Sequence, residues 1–382
     1  MSASFTTAQD GSRIYGLDIL RAIAILFVLE EHGNDFLYEA FSIKVPHLDG
    51  VRLFFVLSGF LIGKLLIQVV HTGLSMKDLY AFWIRRWFRT LPNYYLILLL
   101  LIVFNLFTPV YNGAYSSFFF FCQNLFTPQP RFFLESWSLA VEEWFYILFP
   151  VTLYLLNKAF PSKHQTSLLL SIVLFITGAM LVRFYKDSYL DIQIFKDWDV
   201  EFRKVVFTRL DNIVFGVLGA FLSTYYHTLW VKHKTLLLVT GILLLLADRI
   251  CFLFITHNIL SYGWYSNIFS FTVGSVASLA LLPYLSELKT GKGILYRFFT
   301  YVSIISYSLY MVNLSIVRFR LIPLSNKWLI QLGLHSYIPY IDLALYWIYT
   351  ITLALVLYHY FEKPMTNLRD KLYIQRSQTG LK

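Results

Sequence analysis

The stretch "VRLFFVLSGFLIGKLLIQVV" (residues 51–70) runs for twenty residues with only two charges, Arg52 and Lys64. As an α-helix it would be about 30 Å long, the thickness of a bilayer's hydrocarbon core. Ser58 and Gly59 sit mid-span, where small residues let a second helix come close. Packing is one use of that pair, and clearing backbone for a ligand is the other. The rest of the chain agrees with a membrane setting. It is 57% hydrophobic and 14% charged, with a mean hydropathy of +0.60, against about 25% charged residues in soluble domains. A net charge of +10 would suggest nucleic acid in a soluble protein. In a membrane chain it follows from positive-inside bias and attraction to anionic lipid, so membrane lipids are expected partners and nucleic acid is not.

Further apolar windows fall near 16–33, 92–108, 137–158, 166–185, 209–226, 235–256, 266–285, 302–320 and 340–361. With 51–70 they make about ten spans and predict an all-α fold, a polytopic integral membrane helical bundle. One membrane domain is expected over 1–382, with spans from about 16 to 361 and a short tail at 362–382. Lysine and arginine favour the connections on the side of the two ends, which places both termini in the cytoplasm. "YSSFFFFCQNLF" (115–126) is too short to cross and reads as interfacial or re-entrant. Segment 183–209 mixes its basic residues with Asp187, Asp191, Asp197, Asp199 and Glu201, as a solvated loop would. Cys122 and Cys251 lie in apolar surroundings and read as buried thiols, with no disulfide framework and no metal spacing. No small-residue cleavage site follows the first apolar run, so that span is expected to be retained.

Several spans carry groups that lipid does not welcome. "LDILRAIAILFVLEEHGND" (17–35) contains Arg21 and His32. At about 100° and 1.5 Å per residue the two share a helix face and stand about 16 Å apart. Snorkelling and end-capping explain them separately; a functional stripe explains them together. Asp18 is placed to be the counter-ion of Arg21, and Glu30 and Glu31 call for a water-filled cavity or a partner. "FWIRRWFRTLP" (82–92) clusters Arg85, Arg86 and Arg89 with Trp83 and Trp87, just before a span. Such guanidinium forks suit a phosphate or pyrophosphate, with tryptophan stacked on a base; an interfacial belt holding anionic lipid is the alternative. "ESWSLAVEEWFYILFP" (135–150) buries Glu142 and Glu143 in an apolar span, with Ser138 on the face of Glu142. Adjacent carboxylates point apart, so at most one need face the interior. A structural ion pair with Arg21 or the 85–89 cluster is one role, and orienting a histidine is another. "RLDNIVFGVLGA" (209–220) suggests ion pairing at an interface. In "ISYSLYMVN" (305–313), Asn313 could hydrogen-bond across a bundle, and "YFEKPM" (360–365) reads as a helix stop.

Taken in order, these elements resemble the acyltransferase-3 family of ten-helix bacterial membrane proteins. "LDILRA" followed by His32, "FFVLSGFLI", "RRWFRTLP", "SWSLAVEEWFY", "RLDNIVFG", "SYSLYMVN" and "FEKP" carry the resemblance, across residues 17 to 364. It implies an O-acetyltransferase of the bacterial cytoplasmic (inner) membrane. Acetyl would pass from cytoplasmic acetyl-CoA, the donor substrate, to a hydroxyl of a cell-surface carbohydrate. Lipopolysaccharide, exopolysaccharide or another lipid-linked glycan is the implied acceptor, and no metal is implied. His32 would act as general base or acyl acceptor, supported by Glu142. Arg21, Arg86 and Arg89, with Arg85, would hold the donor's phosphates, and the thioester would reach His32 along the first span. Asp18, Ser58, Trp137, Ser138, Glu143 and Asn313 are further candidates. Members often carry histidine at the position of Asn313, which counts against an acid–base role there, and Glu30-Glu31 is more acidic than the usual lead-in. Some members add a hydrolase-like domain beyond the last span, which this sequence lacks, so transfer would finish in the bundle or pass to a partner. Two rivals stay open: a carrier that moves acetyl across the membrane for a separate transferase, and a transporter or flippase. The latter predicts inverted repeats or paired broken helices, and the sequence shows neither.

Overall fold

The computed structural model describes residues 13–71, 73–256 and 261–368, and among these every regular element is helical. The long helices are α1 (Tyr15–Phe41), α2 (Gly50–His71), α3 (Met76–Phe107), α4 (Ser136–Ala159) and α5 (His164–Asp187). They continue with α6 (Leu210–Tyr225), α7 (Lys234–Thr256), α8 (Tyr265–Glu287), α9 (Gly293–Gln331) and α10 (His335–Leu368). Eight of these, α2–α5 and α7–α10, are long and apolar enough to cross a membrane. The other two also fall in expected windows: α6 is apolar but has 16 residues, and α1 has 27 but carries Asp18, Arg21, Glu30 and Glu31. The fold is therefore an all-α polytopic membrane bundle. Residues 1–12 and 369–382 lie outside the described residues, and with them the expected side of the termini and most of the expected tail. Below, the inner end is the one with the start of α1 and the α2–α3 connection, and the outer end has the α1–α2 connection.

Helix α3 begins near residue 76 rather than 92. Ser75 accepts from the Asp78 amide while Asp78 accepts from the Ser75 amide, a capping box that starts the helix well before its apolar half. The arginine motif thus lies inside α3, and Pro92 is accommodated within the helix. The expected stop at Pro364 also fails. Helix α10 widens into π turns over Tyr358–Glu362, which makes room for the ring, and continues to Leu368. Glu362 accepts hydrogen bonds from Asn93 and Ser308, tying α10 to α3 and α9.

Segment 115–126 does fold back, with one short helical turn at Ser116–Phe119. Tyr94 and Tyr95 donate to its Phe118 and Phe119 carbonyls (2.7 and 2.9 Å), and Asn124 donates to the Trp137 carbonyl. Segment 188–209 is not a solvated loop: Trp198, Phe202, Arg203 and Arg209 are buried. Ion pairs allow this, because each buried cation meets a carboxylate described below. The cysteines also differ from expectation, since Cys122 is exposed and Cys251 half-buried. In a membrane bundle, apolar surroundings mark lipid-facing positions as well as core.

Helices α2 and α6 cross with their backbones in close contact. A Cβ on Gly59 would fall on the Ile213 carbonyl oxygen, and one on Gly216 on the Val56 carbonyl oxygen. Packing is therefore the use of Gly59. Gly59→Val is expected to cost about 1–3 kcal/mol through overpacking, read as a lower melting temperature of the detergent-purified protein. Gly178→Ala, mid-helix and with open space for its Cβ, should keep or slightly raise the melting temperature.

Candidate active site

Helix α4 runs from the outer end inward, so Ser138, Glu142 and Tyr146 lie on successive turns of one face. That face lines a cavity of about 110 Å³, closed on its other sides by Arg21 of α1, Ser58 of α2, Arg86 and Arg89 of α3 and Tyr310 of α9. Glu142 accepts from Tyr146 (3.0 Å) and Ser58 (3.4 Å). Glu143 points instead at α3, accepting from Thr90 (2.9 Å) and Trp87 (3.1 Å). The adjacent carboxylates thus divide: one faces the cavity, the other fastens two helices. Trp83 donates to the Tyr146 carbonyl (2.8 Å). Both tryptophans of the arginine motif are tied to α4 through their indole N–H groups.

A second, wider space of about 730 Å³ opens at the inner end and shares Arg21, Leu61, Arg86 and Arg89 with the first. Lys64, Arg85 and Lys289 also line it, so the inner mouth is strongly basic. Asp18 pairs with Arg13 (2.7 Å), accepts from Ser303 (2.8 Å) and lies 3.9 Å from Arg21. It is a counter-ion to Arg21, as expected, but Arg13 takes its shorter contact.

The cavity ends at Ser138 and Tyr310, whose hydroxyls are 2.5 Å apart. His32 is not on its wall. Arg21 and His32 do lie on one unbroken helix, but His32 meets Asn313 of α9, three residues beyond Tyr310. Glu142 was expected to orient His32. Its hydroxyl partners hold it within the cavity, and among the described residues no hydrogen bond joins the two. Asn313 occupies that place. Its Nδ2 donates to the Leu309 and Tyr310 carbonyls (2.9 and 2.7 Å), which turns Oδ1 toward His32 Nδ1 at 2.5 Å. An amide oxygen only accepts, so Nδ1 holds the ring proton and Nε2 keeps its lone pair. The departure from histidine at this position therefore sets a tautomer. Arg318 donates to the His32 carbonyl (2.6 Å), and Glu135 accepts from the backbone and hydroxyl of Ser315, both securing the π-helical turns that start at Asn313.

Around His32 the outer end is densely ionic. Glu31 receives both Nη atoms of Arg203 (3.0 and 3.2 Å), and Glu30 lies 3.0 Å from His47. The Arg203 fork accounts for Glu31, whereas among the described residues neither carboxylate oxygen of Glu30 has a hydrogen-bond partner. Asp49 sits among Arg52, Arg203 and Arg209 at 3.6, 3.6 and 3.4 Å. Burial alone would push its carboxyl up; Arg203, Arg209 and Arg52 outweigh that and hold it well below the usual carboxylate range. Arg203 and Arg209 both lie over the Trp137 ring at 5.7 Å, so Trp137 is the floor of this cluster and not part of the inner cavity. Arg183, fully buried, grips Asp211 through two bonds of 3.0 and 2.8 Å. The pairing expected in "RLDN" is thus in the core, not at an interface.

Sequence reasoning did not single out Tyr310, Glu135, Arg203 or Arg318. Tyr310 and Glu135 lay inside quoted motifs, one helical turn from flagged residues. Arg203 was read as part of a loop.

The sequence profile of a family described as "Acyltransferase domain" matches residues 14–359. A peptidoglycan O-acetyltransferase of Listeria monocytogenes is 30% identical over 169 residues, 40% of this chain and 26% of that protein. A Bacillus subtilis protein, provisionally named for the same activity, is 31% identical over 189 residues, 45% and 29% of the two chains. A Staphylococcus aureus protein, provisionally named an O-acetyltransferase, is 29% identical over 234 residues, 57% and 36%. The aligned part is thus 26–36% of each relative's length. No solved structure matches the chain.

Proposed function

Since the chain belongs to the acyltransferase family whose profile it matches from residue 14 to 359, we propose that it is a membrane O-acetyltransferase using acetyl-CoA and a glycan acceptor. One observation carries this reading: the basic inner mouth adjoins, across Arg21, Leu61, Arg86 and Arg89, a cavity that ends one turn of α9 from the His32–Asn313 pair. Donor phosphates would bind at Arg21, Arg86 and Arg89, with the pantetheine arm directed outward past Glu142. His32 Nε2 would take the proton of an acceptor hydroxyl, or first accept the acetyl group as an acyl-imidazole. Either way the acetyl C–S bond breaks, a C–O bond forms on the acceptor, and the proton ends on coenzyme A. Because the cavity stops at Ser138 and Tyr310, that contact has to part for the thioester to reach His32. The relatives' names favour a cell-envelope glycan of the peptidoglycan type over lipopolysaccharide. The inner mouth then faces the cytoplasm of a bacterial cell, as the positive-inside bias supports.

Purified protein in liposomes tests the proposal. Acetyl-CoA offered to the inner mouth and peptidoglycan fragments offered to the outer end should yield free coenzyme A and an O-acetylated glycan. Acetyl that crosses without reaching the glycan would make the protein a carrier. No loss of acetyl-CoA would overturn both readings. Arg86→Ala and Arg89→Ala should each raise the KM for acetyl-CoA about tenfold, the value of one charge-assisted hydrogen bond. The KM of the wild type should also rise with salt.

A further inference from the structure

A second pocket lies at the outer end, separate from the donor cavity. It holds about 80 Å³ between Glu31 of α1, His47 and Asp49 of the α1–α2 connection, Arg203 of the outer segment and Arg249 of α7, with Phe195 on its wall. Arg52, Asp248, Trp198 and Phe252 complete the part that matters here. Three arginines (Arg52, Arg203 and Arg249) face three carboxylates (Glu31, Asp49 and Asp248), so the walls' formal charges cancel.

The hydrogen bonds are not all used. Arg52 is only 4% exposed and is committed to the walls: its Nη1 donates to Asp248 (2.8 Å) and its Nε faces Asp49 at 3.6 Å. The Nε of Arg249 has no hydrogen-bond partner, and among the described residues Arg249 forms no ion pair within 4.0 Å. A buried donor left unmade costs about 1–3 kcal/mol, so this guanidinium on the pocket wall points to a ligand that accepts. The carboxylates beside it are placed to accept from the same ligand. A hydroxyl does both, and vicinal hydroxyls on a ring do it at the spacing of neighbouring side chains. A free anion would meet three carboxylates, and a free cation three guanidinium groups. The apolar side of the pocket is also particular. Trp198 is 3% exposed, stacked on Phe271 and tied by its N–H to the Ser266 carbonyl. Phe195, at 44% exposed, is the aromatic ring left for a ligand.

We infer that this outer pocket is the acceptor subsite, and that it takes an uncharged sugar ring, with hydroxyls on Arg249 and the carboxylates beside it and a C–H face on Phe195. This rests on the transfer reading above and adds to it the class of acceptor unit. Glu31 lines the pocket and precedes His32 on α1, while the half-buried imidazole itself is not on the pocket wall.

Binding, not turnover, tests it. Saturation-transfer NMR on the detergent-purified protein would compare methyl glucoside, methyl N-acetylglucosaminide and glucuronate, with coenzyme A as the reference ligand. The two neutral glycosides should give signals in the wild type. Their affinity should fall at least tenfold in Arg249→Leu and in Phe195→Ala, while the coenzyme A signal stays unchanged. Phe195 is an exposed side chain, so its variant is informative even if Arg249→Leu fails to fold. Glycoside signals equal in wild type and both variants, absent from the wild type, or exceeded by glucuronate would overturn the inference. Glycoside binding at this pocket without acetylation in liposomes would instead remove the transfer reading and leave the pocket standing.

Discussion

His32→Ala is expected to lower acetyl transfer by about 10²–10⁴-fold, the usual contribution of a positioned general acid–base group. Donor binding should be unchanged, because the cavity proposed to hold it ends at Ser138 and Tyr310 without His32 on its wall. The loss should therefore appear in kcat and not in the KM for acetyl-CoA. Asn313 supplies a finer test, since it acts through His32. Asn313→Ala removes the acceptor that keeps the proton on Nδ1, lets the ring adopt either tautomer, and should reduce kcat about tenfold or more. Asn313→Asp keeps an acceptor at that place and should recover activity with a shifted pH profile, which a purely structural role would not produce. Hydroxylamine quenching of a single turnover separates the two uses of Nε2: trapped acetyl-hydroxamate on the protein means an acyl-imidazole, and none means general-base transfer. If His32→Ala transferred acetyl at the wild-type rate, the site would have to be reassigned.

The second large effect is on stability. Asp211→Ala leaves Arg183 charged and without its partner in a position that is 0% exposed. Breaking a buried pair on one side costs about 3–5 kcal/mol. Nη1 of Arg183 would keep the Thr208 carbonyl and its face would keep the Phe271 ring, but neither neutralises it. The melting temperature in detergent should fall steeply, and folded yield with it. Arg183→Met combined with Asp211→Leu should restore most of the loss, because an apolar pair of similar volume needs no compensation. If the double variant is as unstable as the single one, the pair supplies more than charge balance. Arg209 stands two residues before Asp211 and packs on Trp137 beside Asp49. A loosened α6 would therefore also disturb the ionic cluster around His32, and the single variant should lose activity before it unfolds.

Much of this arrangement was legible before any coordinates. Spans are legible because lipid demands long apolar runs, and the Arg21–His32 stripe because helical periodicity needs no tertiary knowledge. The start of α3 was misplaced because hydropathy finds where apolar residues begin, whereas the capping box at Ser75 starts the helix earlier. Glu142 and Glu143 could be separated from each other only by the rotation of α4 against α3, a property of packing. The pairing of His32 with Asn313 joins residues 281 apart, and no local pattern records it. Arg203 was lost for a related reason. A segment rich in both charges has the composition of a loop, and only the fold shows that Glu31, Asp49 and Asp199 cancel it.

The contact between Ser138 and Tyr310 has a consequence for the cell's energy economy. A thioester exposed to water discharges by hydrolysis, and a protein that joins cytoplasmic acetyl-CoA to the outside by an open shaft would drain the pool while idle. Here two hydroxyls in contact, one donating to the other and the second to the Glu135 carbonyl, stand between the proposed donor space and the His32 imidazole. The closed state acts as insulation. On the transfer reading proposed above, an idle molecule would hold its donor without spending it.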